Sequence, residues 1–259
     1  MHTIITSKDN KTIKHVQNLL TSHRSRKKSL QTVIEGVHLL DTYLKQKLLV
    51  DLVIVSEKSH YHHEVVDLLT KIDNKKILIV SESLYKNIRT LGDGVDVMAV
   101  IPISVPKFGN INQDCLILDG LQDAGNIGTL LRTASAIGIN TIISTPNTAY
   151  LWSPKCLRAG MGAQFSLQIF EQISVDEILQ AVKIPLFATS SHTQKTIYDY
   201  DLTKKIAWVL GHEGQGVCQD FLQKSNLVTL PQPNGQESLN VAVAGSVCFY
   251  EMLRQRQFN

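Results

Sequence analysis

The chain has 259 residues, 43% of them hydrophobic and 19% charged, with a formal net charge of +3. This is enough for one large domain or two modest ones with a sizeable core. The polar opening residues 1–10 and the shortness of every apolar run exclude a signal peptide and a bilayer span, so a soluble, cytoplasmic protein with no membrane partner is expected. Cys115, Cys156, Cys218 and Cys248 have no C-x-x-C spacing and read as reduced core residues, neither staples nor metal ligands.

Residues 1–50 hold nine Lys/Arg against three Asp/Glu, a net of +6, which leaves −3 for the remainder. Within them, Asn10 to Ser22 carries Ile13, Val16, Leu19 and Leu20 at helical spacing. A basic loop follows, with Arg24, Arg26, Lys27 and Lys28 as the footprint for a polyanion such as RNA, each neutralised phosphate releasing counterions. Thr32 to Gly36 then reads as a strand, Gly36 to Leu49 as a helix, and Leu52 to Val55 as a strand. His60 to Ile72 reads as a helix, Ile77 to Val80 as a strand, Ser81 as the cap of a helix through Leu91, and Val95 to Ile103 as a closing strand. Alternation at this spacing implies an α/β domain. The His60-Tyr61-His62-His63 cluster has no carboxylate or Cys at ligand spacing and reads as a surface helix start, so no metal is expected. Pro102 to Asn112, with prolines, a glycine and no periodicity, is the linker; the domains are placed at 1–103 and 113–259, joined by 104–112.

The second half restarts with Cys115 to Leu118, an apolar run typical of a strand buried on both faces. A helix is expected from about Thr129 to Ile137. Further strands are expected at Thr141 to Ser144, Leu186 to Thr189, Ile206 to Leu210 and Leu227 to Leu230. Helices fall between them at Pro154 to Gly162, Val175 to Val182 and Val217 to Gln223. The last helix, Leu239 to about Gln255, is apolar on nearly every face from Val241 to Phe249, as a helix buried within the fold or against a second subunit must be.

Three strand-end loops concentrate glycine and polar residues: Asp123 to Ala134, Val209 to Val217, and Leu230 to Asn240. Pro231 and Pro233 stiffen the last of these, and Glu237, Ser238 and Asn240 stand where free helix N–H groups can be capped or can meet a ligand. In α/β sheets ligands bind beyond the carboxyl ends of strands, so three such loops from one sheet are expected to converge. Neither G-x-G-x-x-G nor G-x-x-x-x-G-K-[ST] is present.

Asn126-x-Gly128-x-x-x-Arg132-Thr133-Ala134, Gly211-x-Glu213-Gly214-x-Gly216, and Pro231 through Glu237-Ser238-Leu239-Asn240-Val241-Ala242 resemble, in this order, the three motifs of the SpoU (TrmH) family of RNA ribose 2′-O-methyltransferases, of the SPOUT superfamily. Each motif is weak alone; three intact and in order over residues 115–255 are specific. Ala124 departs from the pattern, a proline being frequent there. The first half resembles, more weakly, the small ribosomal-protein-like substrate-binding domain of many relatives.

The resemblance implies a C-terminal α/β trefoil-knot methyltransferase domain, a homodimer formed through it, and S-adenosylmethionine as methyl donor with no metal. It assigns phosphate binding and hydroxyl activation to Arg132. A guanidinium stays protonated, so positioning and stabilisation of negative charge suit it better than a base's role. Glu213 is expected to orient Arg132 or its loop, Asn126 to tie the first motif to the third, and Ser238 and Asn240 to place substrate or arginine by hydrogen bonds. Gly211, Leu230 and Leu239 are expected to frame the adenine, with Thr189 and Gly216 nearby; Gly211 lacks a Cβ that would keep a flat base from the backbone. The substrate expected is ribosomal RNA. Methylation of transfer RNA, a base methyltransferase and a non-catalytic RNA-binding protein are the competing readings.

Overall fold

A computed structural model describes residues 4–92, 94–191, 193–233, 235 and 239–257. Contacts divide the chain into two units, Met1–Ser104 with Trp152–Phe165, and Val105–Leu151 with Ser166–Asn259.

The first unit runs α1 (Lys11–Thr21), α2 (His23–Ser29), β1 (Gln31–Glu35), α3 (Val37–Lys45), β2 (Leu52–Ser56), α4 (His63–Leu69), β3 (Ile77–Val80), α5 (Glu82–Ile88) and β4 (Val97–Pro102). Its strands form a sheet in the order β1-β4-β2-β3, with β4 antiparallel to both neighbours and β2 parallel to β3. The stripe read from the sequence of α1 packs on this sheet: Ile13, Val16 and Leu19 are fully buried against Val33, Ile54 and Met98. Each such burial contributes about 1.5–3 kcal/mol, and spacing at 3.6 residues per turn directs all of them to one face.

Two expected elements differ. The basic run is a helix, α2. Ser22 caps it by accepting from the Ser25 N–H at 3.2 Å, and Leu30, in the left-handed region at φ 52°, ends it. The expected helix from His60 to Ile72 is two pieces, a 3-10 turn at Ser59–Tyr61 and α4, because His62 adopts an extended conformation between them.

A short helix from the second half of the chain, α7 (Pro154–Ala159), also belongs to this unit. Arg158 Nη1 donates to the buried Glu35 carboxylate at 3.0 Å and to Thr90 Oγ1 at 2.6 Å. Thr32 Oγ1 donates to the Trp152 carbonyl at 2.7 Å, and Phe165 meets Tyr43 edge to face.

The second unit runs β5 (Cys115–Asp119), α6 (Ala124–Ala136), β6 (Thr141–Ser144), β7 (Gln168–Phe170), α8 (Val175–Ala181), β8 (Leu186–Thr189), β9 (Ala207–Gly211), α9 (Gln219–Lys224), β10 (Asn226–Val228) and α10 (Val241–Gln257). Its described strands form one parallel sheet in the order β10-β8-β9-β5-β6-β7. β5 and β9 are buried throughout, as the continuous apolar run requires. The short edge strand β7 escapes the sequence reading because three residues carry no alternation.

The final helix lies against α6 and β9. Gly245 permits the approach: a Cβ there would stand 2.6 Å from both Leu130 Cδ2 and Leu210 Cδ1. Arg256 anchors the far end of α10 through a bidentate pair with Asp114, at 2.8 and 3.0 Å. The all-round apolar character has two destinations. Ala242, Gly245, Cys248, Phe249 and Met252 are buried within the unit, while Val243, Val247 and Tyr250 stay exposed.

Candidate functional site

The three glycine-rich loops leave the carboxyl ends of β5, β9 and β10. β5 and β9 are neighbours, with Asp119 opposite Gly211, so the first two loops begin side by side. Beside them lies a cavity of about 250 Å³, lined by strand ends, the β9 turn and the start of α10. Gly211, Leu230, Leu239, Thr189 and Gly216, read from the sequence as the donor site, all line it. So do Ser190, Ser191, His212 and Gln232, which that reading missed. A signal for the serines was present, since they directly follow the end of β8.

The structure gives Gly211 a reason of its own to lack a side chain. A Cβ on it would fall 2.2 Å from Gly216 C and Val217 N and 2.4 Å from Gly216 O. The missing side chain therefore makes room for the chain's own turn. That turn is closed by His212 N–H donating to the Gly216 carbonyl at 3.0 Å and Gly216 N–H to the His212 carbonyl at 2.8 Å. Gly216 itself sits at φ 73°, a conformation that favours glycine.

One hydrogen-bonded cluster joins the three motifs. Glu213, at the turn tip, accepts from the backbone N–H of Gln122 at 3.3 Å, that of Asp123 at 3.2 Å, and Asn126 Nδ2 at 3.0 Å. Asn126 Oδ1 accepts from Asn240 Nδ2 at 2.9 Å. Asn240 Oδ1 in turn accepts from the N–H groups of Ala242 (2.9 Å) and Val243 (3.3 Å), capping α10. Asp123 caps α6 by accepting from Asn126 N–H at 2.7 Å. Burial pushes the Glu213 carboxyl up, but the hydrogen bonds from Asn126, its own backbone, Asp123 and Gln122 outweigh it and hold the group below its ordinary value. Glu213 is thus a carboxylate that organises two loops.

Arg132 is exposed on α6 and makes no hydrogen bond or ion pair among the described residues. Its guanidinium is free to meet an incoming anion. Glu213 holds the first loop and not Arg132. Ser238, and Glu237 beside it, lie outside the described residues.

In the first unit, Arg24, Lys27 and Lys28 are exposed along α2. Arg26, expected among the RNA-binding cations, is instead buried at 6% exposure, and its Nη1 donates to the carbonyls of Leu19 (2.6 Å) and Leu20 (3.4 Å). Those carbonyls end α1, where a helix leaves acceptors unsatisfied and a cation is favoured, so packing commits this charge to the fold. Among the described residues no group of three or more His, Cys, Asp or Glu side chains is assembled as metal ligands would be.

Residues 114–250 match the SpoU rRNA methylase family, and residues 10–99 match the MRM3-like substrate binding domain. An uncharacterised tRNA/rRNA methyltransferase of Synechocystis is 31% identical, over 97% of this chain and 94% of its own. The 23S rRNA (guanosine(2553)-2′-O)-methyltransferase RlmP of Bacillus subtilis is 28% identical, over 96% of this chain and 98% of its own. A solved RNA 2′-O ribose methyltransferase superimposes with a TM-score of 0.80 at 26% identity, covering 98% of this chain and 99% of that one.

Proposed function

Because the chain belongs to the SpoU rRNA methylase family, we propose that it methylates a ribose 2′-hydroxyl of ribosomal RNA with S-adenosylmethionine as donor. The observation that carries this reading is the cluster of Asn126, Glu213 and Asn240, which binds all three motif loops together at the rim of the cavity. When bound, S-adenosylmethionine supplies a methyl group on a positively charged sulfur, already electrophilic. The protein's task is to hold two partners in line and manage one proton.

The cavity fits the donor's chemistry. Leu230, Leu239 and Val228 offer apolar wall to a flat base, while Thr189 and Ser190 offer polar partners. Gly211 and Gly216 shape the turn that closes one side. Arg132 holds the substrate phosphate and steadies negative charge growing on the ribose oxygen as its proton passes to solvent water; an arginine keeps its own proton throughout. Glu213, Asn126 and Asn240 fix the loop geometry around that event, with Ser238 assigned to substrate placement.

Residues 1–103 are the RNA-binding part in this reading, supported by the match over 10–99 and by exposed Arg24, Lys27 and Lys28. The methyltransferase part, 113–259, forms a homodimer. What supports it is the apolar face of α10 left open in one chain, with Val243 51%, Val247 40% and Tyr250 56% exposed at spacings of four and three. None of the described helices is long and apolar enough to cross a membrane, and the cytoplasm, where RNA is made and modified, is the proposed location.

The test is tritium transfer from labelled S-adenosylmethionine to total RNA from cells lacking this protein, with wild type and Arg132→Ala side by side. Label in ribosomal RNA, at one alkali-resistant dinucleotide and absent with the variant, is the expected outcome. Label in transfer RNA corrects the substrate. Full activity of Arg132→Ala refutes the role given to that residue.

A further inference from the structure

The second motif's variable position holds His212, and its ring does something specific. Its Nδ1 accepts from the backbone N–H of Gly214 at 2.9 Å and from that of Gln215 at 3.2 Å. An imidazole nitrogen that accepts needs a free lone pair, which Nδ1 has in the Nε2–H tautomer. The same residue's backbone is paired in both directions with Gly216. The ring therefore serves two N–H groups inside a closed five-residue turn that have no carbonyl partner among the described residues.

This turn is where the cavity and the motif cluster meet. Gly211, His212, Glu213 and Gly216 all line the cavity. Glu213 also carries the three hydrogen bonds to the first motif loop. The crowding at Gly211 leaves no slack on the opposite side of the turn, where backbone already meets backbone. The absent Cβ at 211 and the acceptor at 212 thus support the conformation of 212–216 alongside the two His212–Gly216 backbone bonds.

We propose that His212 is a positioning residue for methyl transfer: as the neutral Nε2–H tautomer it holds the 212–216 turn through Nδ1, setting both the cavity wall and the place of Glu213. The inference rests on the donor-site reading above, and one arm of its test does not. An asparagine reproduces the acceptor, because its Oδ1 stands at the same number of bonds from the backbone and such side chains bond N–H groups two residues on. A leucine keeps bulk and removes the acceptor.

In the full-length protein, two-bond proton–nitrogen NMR of labelled histidine reads the tautomer, and amide exchange reads the Gly214 and Gln215 N–H groups. The expected result is a proton on Nε2, protected amides in wild type and His212→Asn, and faster exchange in His212→Leu. Titration with S-adenosylmethionine should show affinity falling about tenfold in His212→Leu, the scale of one to two lost hydrogen bonds, and largely recovering in His212→Asn. Glu213→Gln in the His212→Leu background should cost less than in wild type, since the displaced turn has already lost those bonds. A proton on Nδ1, or His212→Asn no better than His212→Leu in amide protection, overturns the proposal. Wild type that binds no donor overturns the donor-site reading instead, and the NMR and exchange arms still decide what His212 does.

Discussion

Replacing Gly211 by alanine tests most directly whether the β9 turn shapes the donor cavity. The added Cβ would lie 2.2 Å from Gly216 C and Val217 N, where ordinary contact begins at 3.4 Å, so the turn has to open by about 1 Å. The three nearest atoms are all backbone, so no side-chain rotation relieves those overlaps. Overpacking of this kind costs about 1–3 kcal/mol. An opening of that size also breaks the two His212–Gly216 backbone bonds, each contributing about 1 kcal/mol net. The sum is about 3–5 kcal/mol. It falls on the turn, so donor affinity should drop by at least tenfold and the unfolding midpoint by about 10 °C. Gly216→Ala is the control: at φ 73° with nothing within 4 Å of its Cβ, it carries only the left-handed penalty of about 1–2 kcal/mol. Titration with S-adenosylmethionine and thermal unfolding by circular dichroism measure both. If Gly211→Ala binds donor like wild type, or if Gly216→Ala is the more damaging, the turn does not shape the cavity as argued.

Three further outcomes are expected. Asn126→Ala and Asn240→Ala should couple by about 0.5–1.5 kcal/mol in a double-mutant cycle read by unfolding, because one bond joins them directly; strict additivity would dismiss the cluster as a unit. Arg26→Met should lower the unfolding midpoint by several degrees and leave RNA affinity alone, whereas Lys27→Ala with Lys28→Ala should reduce the salt slope of RNA binding by roughly 1.5. Val247→Asp should shift the sedimenting mass from dimer to monomer and abolish methyl transfer; an unchanged mass would remove α10 as the interface.

Much of the second unit is visible in the residues themselves. Strands buried on both faces appear as continuous apolar runs, and loops that must turn sharply at strand ends carry their glycines and asparagines in plain view. The three motif loops could be picked out for that reason, and the structure bonds Asn126 to both Glu213 and Asn240. What could not be read depends on neighbours distant in sequence. Arg26 looks like its basic neighbours until the end of α1 is placed beside it. His212 is one more polar residue in a glycine-rich loop until the turn closes around its ring. The histidine run at 60–63 reads as a helix start, and one extended residue, His62, divides it.

Trp152–Phe165 has a consequence for anyone dividing this chain. Trp152, Cys156 and Leu157 are almost wholly buried, and they belong to the unit built from residues up to 104. A single cut before Val105 therefore yields two damaged pieces. One lacks α7 and exposes the Glu35 carboxylate that Arg158 neutralises; the other carries a tryptophan and a leucine with nothing to cover them. Shuffling the first unit between relatives likewise demands two exchanged segments, not one. Limited proteolysis that clips near residue 104 should leave both fragments associated, held by a stretch that the order of residues assigns to the other half.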